Sequence, residues 1–314
     1  MKGNELNAGT HDSAEWVVLV AESFPKASFF LAKLSPGPSA TSAEVTREAL
    51  VVEPEAAARV YGFAVRKKLV YGHRGAPVEL PENTLEGFAR ALEVGADAIE
   101  TDVHLTSDGH VVVFHDASAG RTCGTDELVA KSPLDRVRAW NAGKTHAKAD
   151  GAVFRVPTFS EALEAFPDTF FNVDIKPRSK EAVLAVIRAV HMHRAEERVR
   201  LTSFHADNVR EARRAGYRCT GLGLSEVLSL YTLPTALLER LAPRGDAAQI
   251  PTHQGPLRLD GAHFIAKCQR LGIRVDYWTI DDADEAARLL ARGADGLVTN
   301  DPRTVVPVAR AYTR

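Results

Sequence analysis

Short apolar runs alternate with amphipathic stretches along the chain from Lys68 to the C-terminus. The runs have the length of β-strands and are apolar enough to be buried on both faces of a parallel sheet. Eight such runs predict strands, and they are Leu69–Tyr71, Ala98–Val103, Phe170–Ile175, Val199–Ser203, Tyr217–Leu224, Ala247–Ile250, Ile273–Trp278 and Gly296–Thr299.

The stretches between these runs have apolar residues at helical spacing. In the first, Leu85, Phe88 and Leu92 share one face of a helix predicted over Thr84–Val94. The same spacing predicts helices over Phe159–Phe166, Glu181–His193, Asp207–Ala215, Gly261–Leu271 and Asp282–Ala291. Strands that alternate with helices predict an α/β protein, a parallel (β/α)8 TIM barrel. A doubly wound open sheet stays as the alternative, because periodicity alone does not separate the two folds.

Two segments do not fit this alternation. Residues 1–66 begin with two apolar runs, which are followed by a Pro-, Gly- and Ser-rich stretch, Ser35–Ser42. An Ala- and Glu-rich segment with helical character, Glu44–Val60, comes next. We therefore expect an N-terminal extension of residues 1–66, either a small β-containing unit or a partly ordered tail, ahead of a barrel over 67–314. After the second strand, Val111–Phe114 predicts an extra short strand. Arg121–Asp150 predicts a small insertion that covers the mouth of the barrel.

Composition and charge narrow the classes of function. The 314 residues, 45% of them hydrophobic, are enough for one large core or two modest ones. A net charge of −2 indicates neither a nucleic-acid-binding surface nor a charged tail. The three separate cysteines form no CxxC pair, which favours a reducing, cytoplasmic setting. No run approaches the roughly 20 apolar residues of a membrane helix, so we expect no stable membrane insertion. We expect the substrate to be a small molecule. The oligomeric state stays open.

Ionisable side chains stand at or near the ends of the first predicted strands. They are, in chain order, His73, Arg74, Glu100, Asp102, His115, Asp174 and Lys176. Glu100 and Asp102 are two positions apart on the second strand, and Asp174 and Lys176 are two apart on the third. The members of each pair therefore point to the same face. Because the carboxyl ends of barrel strands meet at one mouth, we expect these side chains to lie together.

Three of these side chains are carboxylates, and carboxylates that lie together repel one another unless a cation neutralises them. Glu100, Asp102 and Asp174 offer hard oxygen ligands, which suit Mg²⁺ or Ca²⁺. Arg74 and Lys176 add fixed positive charge, and with a dication they would make a binding site for phosphate.

His73 and His115 complete a set suited to phosphodiester cleavage. Imidazole titrates near neutral pH and can move protons on either side of a phosphorus centre. Which histidine is the acid and which is the base stays open. Trp278 ends the seventh strand, where its ring would form a wall against the substrate.

As an ordered set, the motifs of the chain resemble those of the glycerophosphodiester phosphodiesterase family. The resemblance rests on His73-Arg74-Gly75, Pro81-Glu82-Asn83-Thr84, Glu100-Thr101-Asp102-Val103, Thr106-Ser107-Asp108-Gly109, His115-Asp116, Trp278-Thr279-Ile280 and the run from Gly293 to Pro302. It covers the chain from Lys68 to the C-terminus and leaves the first 66 residues outside.

The resemblance implies a (β/α)8 barrel enzyme that hydrolyses glycerophosphodiesters to glycerol 3-phosphate and an alcohol. It implies that His73 and His115 are the acid–base pair and that Arg74 binds phosphate. It also implies that Glu100, Asp102 and an acidic residue on the third strand hold the metal. That third residue is Asp174 here, where the family usually has Glu. Two alternatives stay open: a lyase of the phospholipase D toxin type, which forms a cyclic phosphate, and a barrel that binds phosphoesters without catalysis.

Overall fold

The computed structural model describes residues 15–20, 29–34, 67–241, 245–255 and 257–312. The chain divides into two units, Met1–Arg66 and Lys67–Arg314. Within the first unit, β1 (Glu15–Val20) pairs antiparallel with β2 (Phe29–Leu34), so this segment contains β structure. The helical segment considered for Glu44–Val60 lies outside the described residues.

The second unit is built on a parallel sheet that curls into a barrel. Its strands in spatial order are β7 (Val199–Thr202), β6 (Phe170–Ile175), β4 (Ala98–Leu105), β3 (Leu69–His73), β12 (Gly296–Thr299), β11 (Arg274–Tyr277) and β8 (Ala247–Ile250). A short strand, β5 (Val111–Val113), pairs antiparallel with β4, as predicted. A two-residue pair, β9 (His253–Gln254) and β10 (Leu257–Arg258), follows β8.

Residues 219–222 close the ring between β7 and β8. Thr220 bridges Leu201 and Gly221 bridges Ala247, both in parallel. The strand predicted over Tyr217–Leu224 is therefore reduced to two bridging residues. Gly221 is needed there, since a Cβ at this position would lie 2.7 Å from Thr202 Cγ2. The closed ring confirms the barrel and excludes the open sheet.

Helices surround the sheet of the second unit. Their bounds are α1 Leu85–Glu93, α2 Gly120–Cys123, α3 Leu134–Arg138, α4 Phe159–Ala165, α5 Lys180–Met192, α6 Ala206–Arg214, α7 Leu224–Thr232, α8 Thr235–Leu241, α9 Ala262–Arg270, α10 Ala283–Ala291 and α11 Pro302–Ala311. The six helices predicted from apolar spacing are all present. The Thr84 side chain caps α1 by accepting from Gly87 N–H at 3.0 Å.

Apolar side chains fill the space between the sheet and the helices, and polar side chains fill the lower barrel. Phe171 of β6 packs edge-to-face on Phe88 of α1, with ring centroids 6.0 Å apart. At the N-terminal end of the barrel, Tyr71 Oη donates to Asp276 Oδ2 at 3.1 Å and accepts from Arg200 Nη1 at 3.2 Å. This buried network occupies the interior below the mouth.

The insertion after β5 has its own small core, in which Phe114 and Trp140 pack with ring centroids 5.9 Å apart. It attaches to the β3–α1 loop, where His146 Nε2 donates to the Pro77 carbonyl at 2.9 Å and Lys148 Nζ to that of Val78 at 2.7 Å. None of residues 117–156 lines the cavity at the mouth of the barrel. The insertion therefore contributes no lining residue to the cavity, and that it covers the mouth stays a prediction.

In the part of the chain that the structure describes, no helix is both long and apolar enough to cross a membrane.

Candidate active site

A cavity of about 400 Å³ opens at the carboxyl ends of the barrel strands. It brings together every site residue predicted from the sequence, and these are His73, Arg74, Glu100, Asp102, His115, Asp174, Lys176 and Trp278. Distant stretches of sequence thus converge on one site, as the fold requires of residues at strand ends.

The parallel register of β4 and β6 sets two carboxylates side by side. Asp102 and Asp174 are direct partners across the two strands. Both accept from Lys176 Nζ, at 2.8 Å to Asp102 Oδ1 and 2.7 Å to Asp174 Oδ2. Burial opposes ionisation of Asp102, but the charges of Lys176 and Arg74 outweigh it and lower the pKa of that carboxyl. Burial raises the pKa of Asp174 despite the charge of Lys176.

Glu100 is the least compensated carboxyl of the site. Its Oε2 is buried, has no hydrogen-bond partner, and lies 3.7 Å from His73 Nε2. Burial, with the charges of Asp102 and Asp174, raises the pKa of Glu100 well above its usual value. A cation beside this oxygen would stabilise the ionised form.

A chain of ion pairs joins Arg74 to His115. Arg74 has a left-handed backbone, with φ 56°, and its Nη1 lies 3.1 Å from Glu82 Oε1. Arg121 bridges Glu82 and Asp116, at 2.6 Å to each. Asp116 Oδ1 in turn accepts from His115 Nδ1 at 2.5 Å. From the sequence Glu82 was noted only as part of a motif, and in the structure its carboxylate links two arginines.

His73 has a different partner behind its ring. Its Nδ1 donates to Asn300 Oδ1 at 2.7 Å, and Asn300 Nδ2 donates to Asp281 Oδ2 at 2.8 Å. Because Asp281 takes the amide N–H, the amide oxygen must face His73, so Nδ1 carries the proton and Nε2 is the free acceptor. Burial and the charge of Arg74 lower the pKa of His73. The neutral imidazole therefore persists to lower pH than usual.

Three residues with supporting roles were missed from the sequence. Asn300 and Asp281 stand beside the last strands, and Asn300 was noted only as part of a motif. Asn83 was likewise noted only as part of a motif, and its Nδ2 donates to Asp102 Oδ2 at 3.0 Å. Asn83 also has a left-handed φ of 56°, a conformation that asparagine tolerates better than most residues. For Asn300 the available signal was an amide directly after a strand, but this position did not reveal that its partner is His73.

Glu100, Asp102 and Asp174 match a divalent-cation site in the chemistry of their oxygens but not in their arrangement. Among residues 67–241, 245–255 and 257–312, no three His, Cys, Asp or Glu side chains meet as a metal-binding group. Lys176 Nζ occupies the place between Asp102 and Asp174. The donor set still fits a hard cation in kind, because Glu100 Oε2 and Asp174 Oδ1 are buried oxygens without hydrogen-bond partners.

Trp278 lies against Phe204, their ring centroids 5.8 Å apart and their planes at 79°. Lys176 Nζ lies over the ring of Phe204, 5.6 Å from its centroid, in a cation–π contact. An aromatic pair thus stands directly beside the charged residues.

Comparisons with known proteins identify the family of the chain. The sequence model of the "Glycerophosphoryl diester phosphodiesterase family" matches residues 73–304. A glycerophosphodiester phosphodiesterase from Caldanaerobacter subterraneus subsp. tengcongensis is 32% identical over 251 residues, which span 78% of this chain and 98% of that relative.

Solved structures of similar fold include a phosphodiesterase from Oleispira antarctica in complex with the product sn-glycerol-3-phosphate. Its TM-score is 0.66 at 24% identity, covering 77% of this chain and 96% of that one. A glycerophosphodiester phosphodiesterase from Agrobacterium tumefaciens has a TM-score of 0.65 at 21% identity, covering 77% and 99%. The chain belongs to the glycerophosphoryl diester phosphodiesterase family, which confirms the family and the class of enzyme that the motifs predicted.

Proposed function

We propose that this chain hydrolyses glycerophosphodiesters to glycerol 3-phosphate and an alcohol, with His73 as general base and His115 as general acid. The observation that carries the proposal is the pair of imidazoles in one cavity with unlike partners. His73 Nδ1 bonds a neutral amide oxygen, whereas His115 Nδ1 bonds a carboxylate.

His73 is suited to accept a proton. Its Nε2 is unprotonated in the tautomer that Asn300 imposes, and its lowered pKa keeps the ring neutral near pH 7. A water that attacks phosphorus gives its proton to this nitrogen as the new P–O bond forms.

His115 is suited to donate one. Asp116 lies behind its ring and compensates the positive charge of a doubly protonated imidazole. His115 then protonates the leaving alkoxide as the second P–O bond breaks. One proton enters the pair and one leaves it, so a transfer through solvent restores the starting state.

Arg74 and Lys176 would hold the phosphate. Both line the cavity, and each already faces a carboxylate of the site. Within the cluster described above, five carboxyl groups (Glu82, Glu100, Asp102, Asp116 and Asp174) face three fixed cations (Arg74, Arg121 and Lys176). When all five are ionised, they leave an excess of negative charge that repels an anion.

That excess supports our proposal that Glu100, Asp102 and Asp174 bind Mg²⁺ or Ca²⁺. Such an ion, when bound, supplies charge neutralisation for the phosphate oxygens. The protein's part is then to release Lys176 from Asp102 and Asp174 toward the phosphate. Trp278 is proposed as a wall for the glycerol moiety.

The lyase stays the runner-up, since the same two histidines would serve attack by a substrate hydroxyl. It would release a cyclic phosphate instead of a phosphomonoester. The toxin type of lyase is a disulfide-stapled protein, whereas Cys123, Cys219 and Cys268 are all free thiols here.

The test is release of glycerol 3-phosphate from glycerophosphocholine, first with EDTA and then with Mg²⁺ or Ca²⁺ restored. We expect release only with a cation. His73→Ala and His115→Ala should each lower kcat by at least ~100-fold. The matched control His110→Ala, at an exposed turn, should keep the wild-type rate.

Two results would contradict parts of this proposal. Full activity in EDTA, together with a Glu100→Gln variant whose cation affinity is unchanged in calorimetric titration, would contradict the proposed metal site. A cyclic phosphate as the stable product would show that the enzyme is a lyase and not a hydrolase.

A further inference from the structure

One side chain of the insertion joins two parts of the site, although none of residues 117–156 lines the cavity. Arg121, on α2, donates from Nε to Asp116 Oδ2 at 2.6 Å. Its Nη1 and Nη2 donate to Glu82 Oε2 at 2.7 Å and to Glu82 Oε1 at 2.6 Å. The planar guanidinium therefore holds both oxygens of one carboxylate and one oxygen of the other at the same time.

The contact with Glu82 bears on the phosphate-binding arginine. Glu82 Oε1 accepts from Arg121 Nη2 and also, at 3.1 Å, from Arg74 Nη1. Arg74 Nε is buried and makes no hydrogen bond, although it lies 3.2 Å from Asp102 Oδ2. Because Arg121 engages both oxygens of Glu82, this carboxylate cannot form a two-bond fork with Arg74. The Nε–H of Arg74 thus stays available for a phosphate oxygen.

The contact with Asp116 bears on His115. Asp116 accepts from His115 Nδ1 with one oxygen and from Arg121 Nε with the other. Burial raises the pKa of Asp116, but the hydrogen bonds from Arg121 and His115 outweigh burial and lower it. Since both oxygens are bonded, the plane of the carboxylate is fixed, and with it the orientation of the imidazole ring.

The backbone of Arg121 is fixed within the insertion. Thr145 Oγ1 donates to the Arg121 carbonyl at 2.7 Å. His146 and Lys148 bind the same segment to the β3–α1 loop, which also carries Arg74 and Glu82. The Arg121 side chain itself is 49% exposed, and exposed ion pairs add little to stability. Its forked contacts therefore serve the geometry of the site more than the stability of the fold.

We infer that Arg121 is a positioning residue for the proposed reaction, which keeps Arg74 free to bind phosphate and His115 oriented toward the leaving alcohol. This inference rests on the proposed function. The insertion then influences the reaction without contributing to the wall of the cavity.

The experiment measures kcat and KM for glycerophosphocholine in Arg121→Ala, with the divalent cation present. We expect kcat to fall at least ~10-fold, because the His115 ring is no longer held in place. We expect KM to rise about 3- to 10-fold, because Glu82 turns onto Arg74 and takes a hydrogen bond from the phosphate. Millimolar guanidinium, far below the concentrations that unfold proteins, should restore both constants. Ammonium at the same concentration should not, since it lacks the planar fork.

The matched control is Arg136→Ala. Arg136 is another exposed arginine of the insertion and forms a two-bond fork with Glu127, both contacts at 2.6 Å. Since this pair contacts neither Glu82 nor Asp116, the control should keep the wild-type kcat and KM.

The outcomes separate this inference from the proposed function. Wild-type kcat and KM in Arg121→Ala would overturn the inference while leaving the hydrolase intact. A loss that guanidinium does not restore would show that Arg121 acts through the fold, and the inference falls. If the wild-type protein cleaves no glycerophosphodiester, the proposed function fails, and calorimetric binding of glycerol 3-phosphate decides. Weaker binding in Arg121→Ala that guanidinium restores supports the inference, and equal binding overturns it.

Discussion

At the scale of single residues, the site depends on what lies behind each imidazole. His73 faces the amide of Asn300, and Asp281 orients that amide through both its Nδ2 and its backbone N–H, the latter at 2.7 Å. Neither residue needs to touch substrate. Their role is to decide which ring nitrogen is free.

Asn300→Ala should lower kcat by about 10- to 100-fold with little change in KM, because the His73 tautomer is no longer imposed. Burial and the charge of Arg74 lower the pKa of His73, whereas the hydrogen bond that His73 donates to Asn300 raises it. Its loss should move the acid limb of the kcat/KM profile to lower pH. A pH profile measured beside the melting temperature checks this, and an unmoved limb would reduce Asn300 to a structural residue.

The ionisable residues that line the cavity were predictable because each lies at or near a strand end and has a charge with no structural reason to be buried. The spacing of two placed Glu100 with Asp102 and Asp174 with Lys176 on one face of each strand, and all four side chains line the cavity. The supporting residues were harder to predict. Asn83 reaches the site from a loop with left-handed backbone, and Arg121 reaches it from α2, whose position depends on the fold of the insertion. Sequence spacing carries no information about such contacts.

At the scale of elements, β3 and α1 must approach closely to hold His73. A Cβ on Gly72 would lie 2.5 Å from the Gly75 carbonyl oxygen and 2.7 Å from Ala91 Cβ. The backbone oxygen cannot move aside without moving the turn that carries Arg74.

Gly72→Ser should therefore cost about 1–3 kcal/mol in the free energy of unfolding and should also lower activity, since His73 is the next residue. The matched substitution Gly261→Ser adds a side chain that meets no atom within 4 Å, at the N-cap of α9, where serine is favoured. It should be neutral or slightly stabilising. Urea unfolding of both variants tests the difference, and equal stabilities would show that the β3–α1 contact yields.

Element prediction failed where large apolar side chains are exposed instead of buried in the core. Helices α7 and α8 were not predicted, and Leu224, Leu228, Leu237 and Leu241 are exposed on them. Leucines on the solvent side blur the apolar stripe on which helix prediction depends.

At the scale of the whole molecule, the order of strands and helices was predictable from periodicity, because a parallel barrel must alternate them. Closure was not, since it depends on Thr220 and Gly221 alone between β7 and β8. Stability of the closed barrel also requires ties between its last segments, and Asp260 provides one. This carboxylate is 1% exposed and joins Arg258, Arg288 and Arg292.

Burial alone would raise the pKa of Asp260, but hydrogen bonds from Arg288 and Arg258 and the charge of Arg292 lower it to about 2, from the ordinary 3.8. A lowered folded-state pKa means that the carboxylate stabilises the fold at pH values above 3.8 and that this stabilisation is lost as the pH falls toward 2. The shift corresponds to about 2 kcal/mol. Asp260→Asn should lose about that amount at pH 7 in urea unfolding, and the gap from wild type should narrow as the pH falls below 4. Asp126→Asn, at an exposed position, should match wild type throughout. A gap for Asp260→Asn that stays constant from pH 7 to pH 3 would mean that packing, and not the charge of Asp260, holds these segments together.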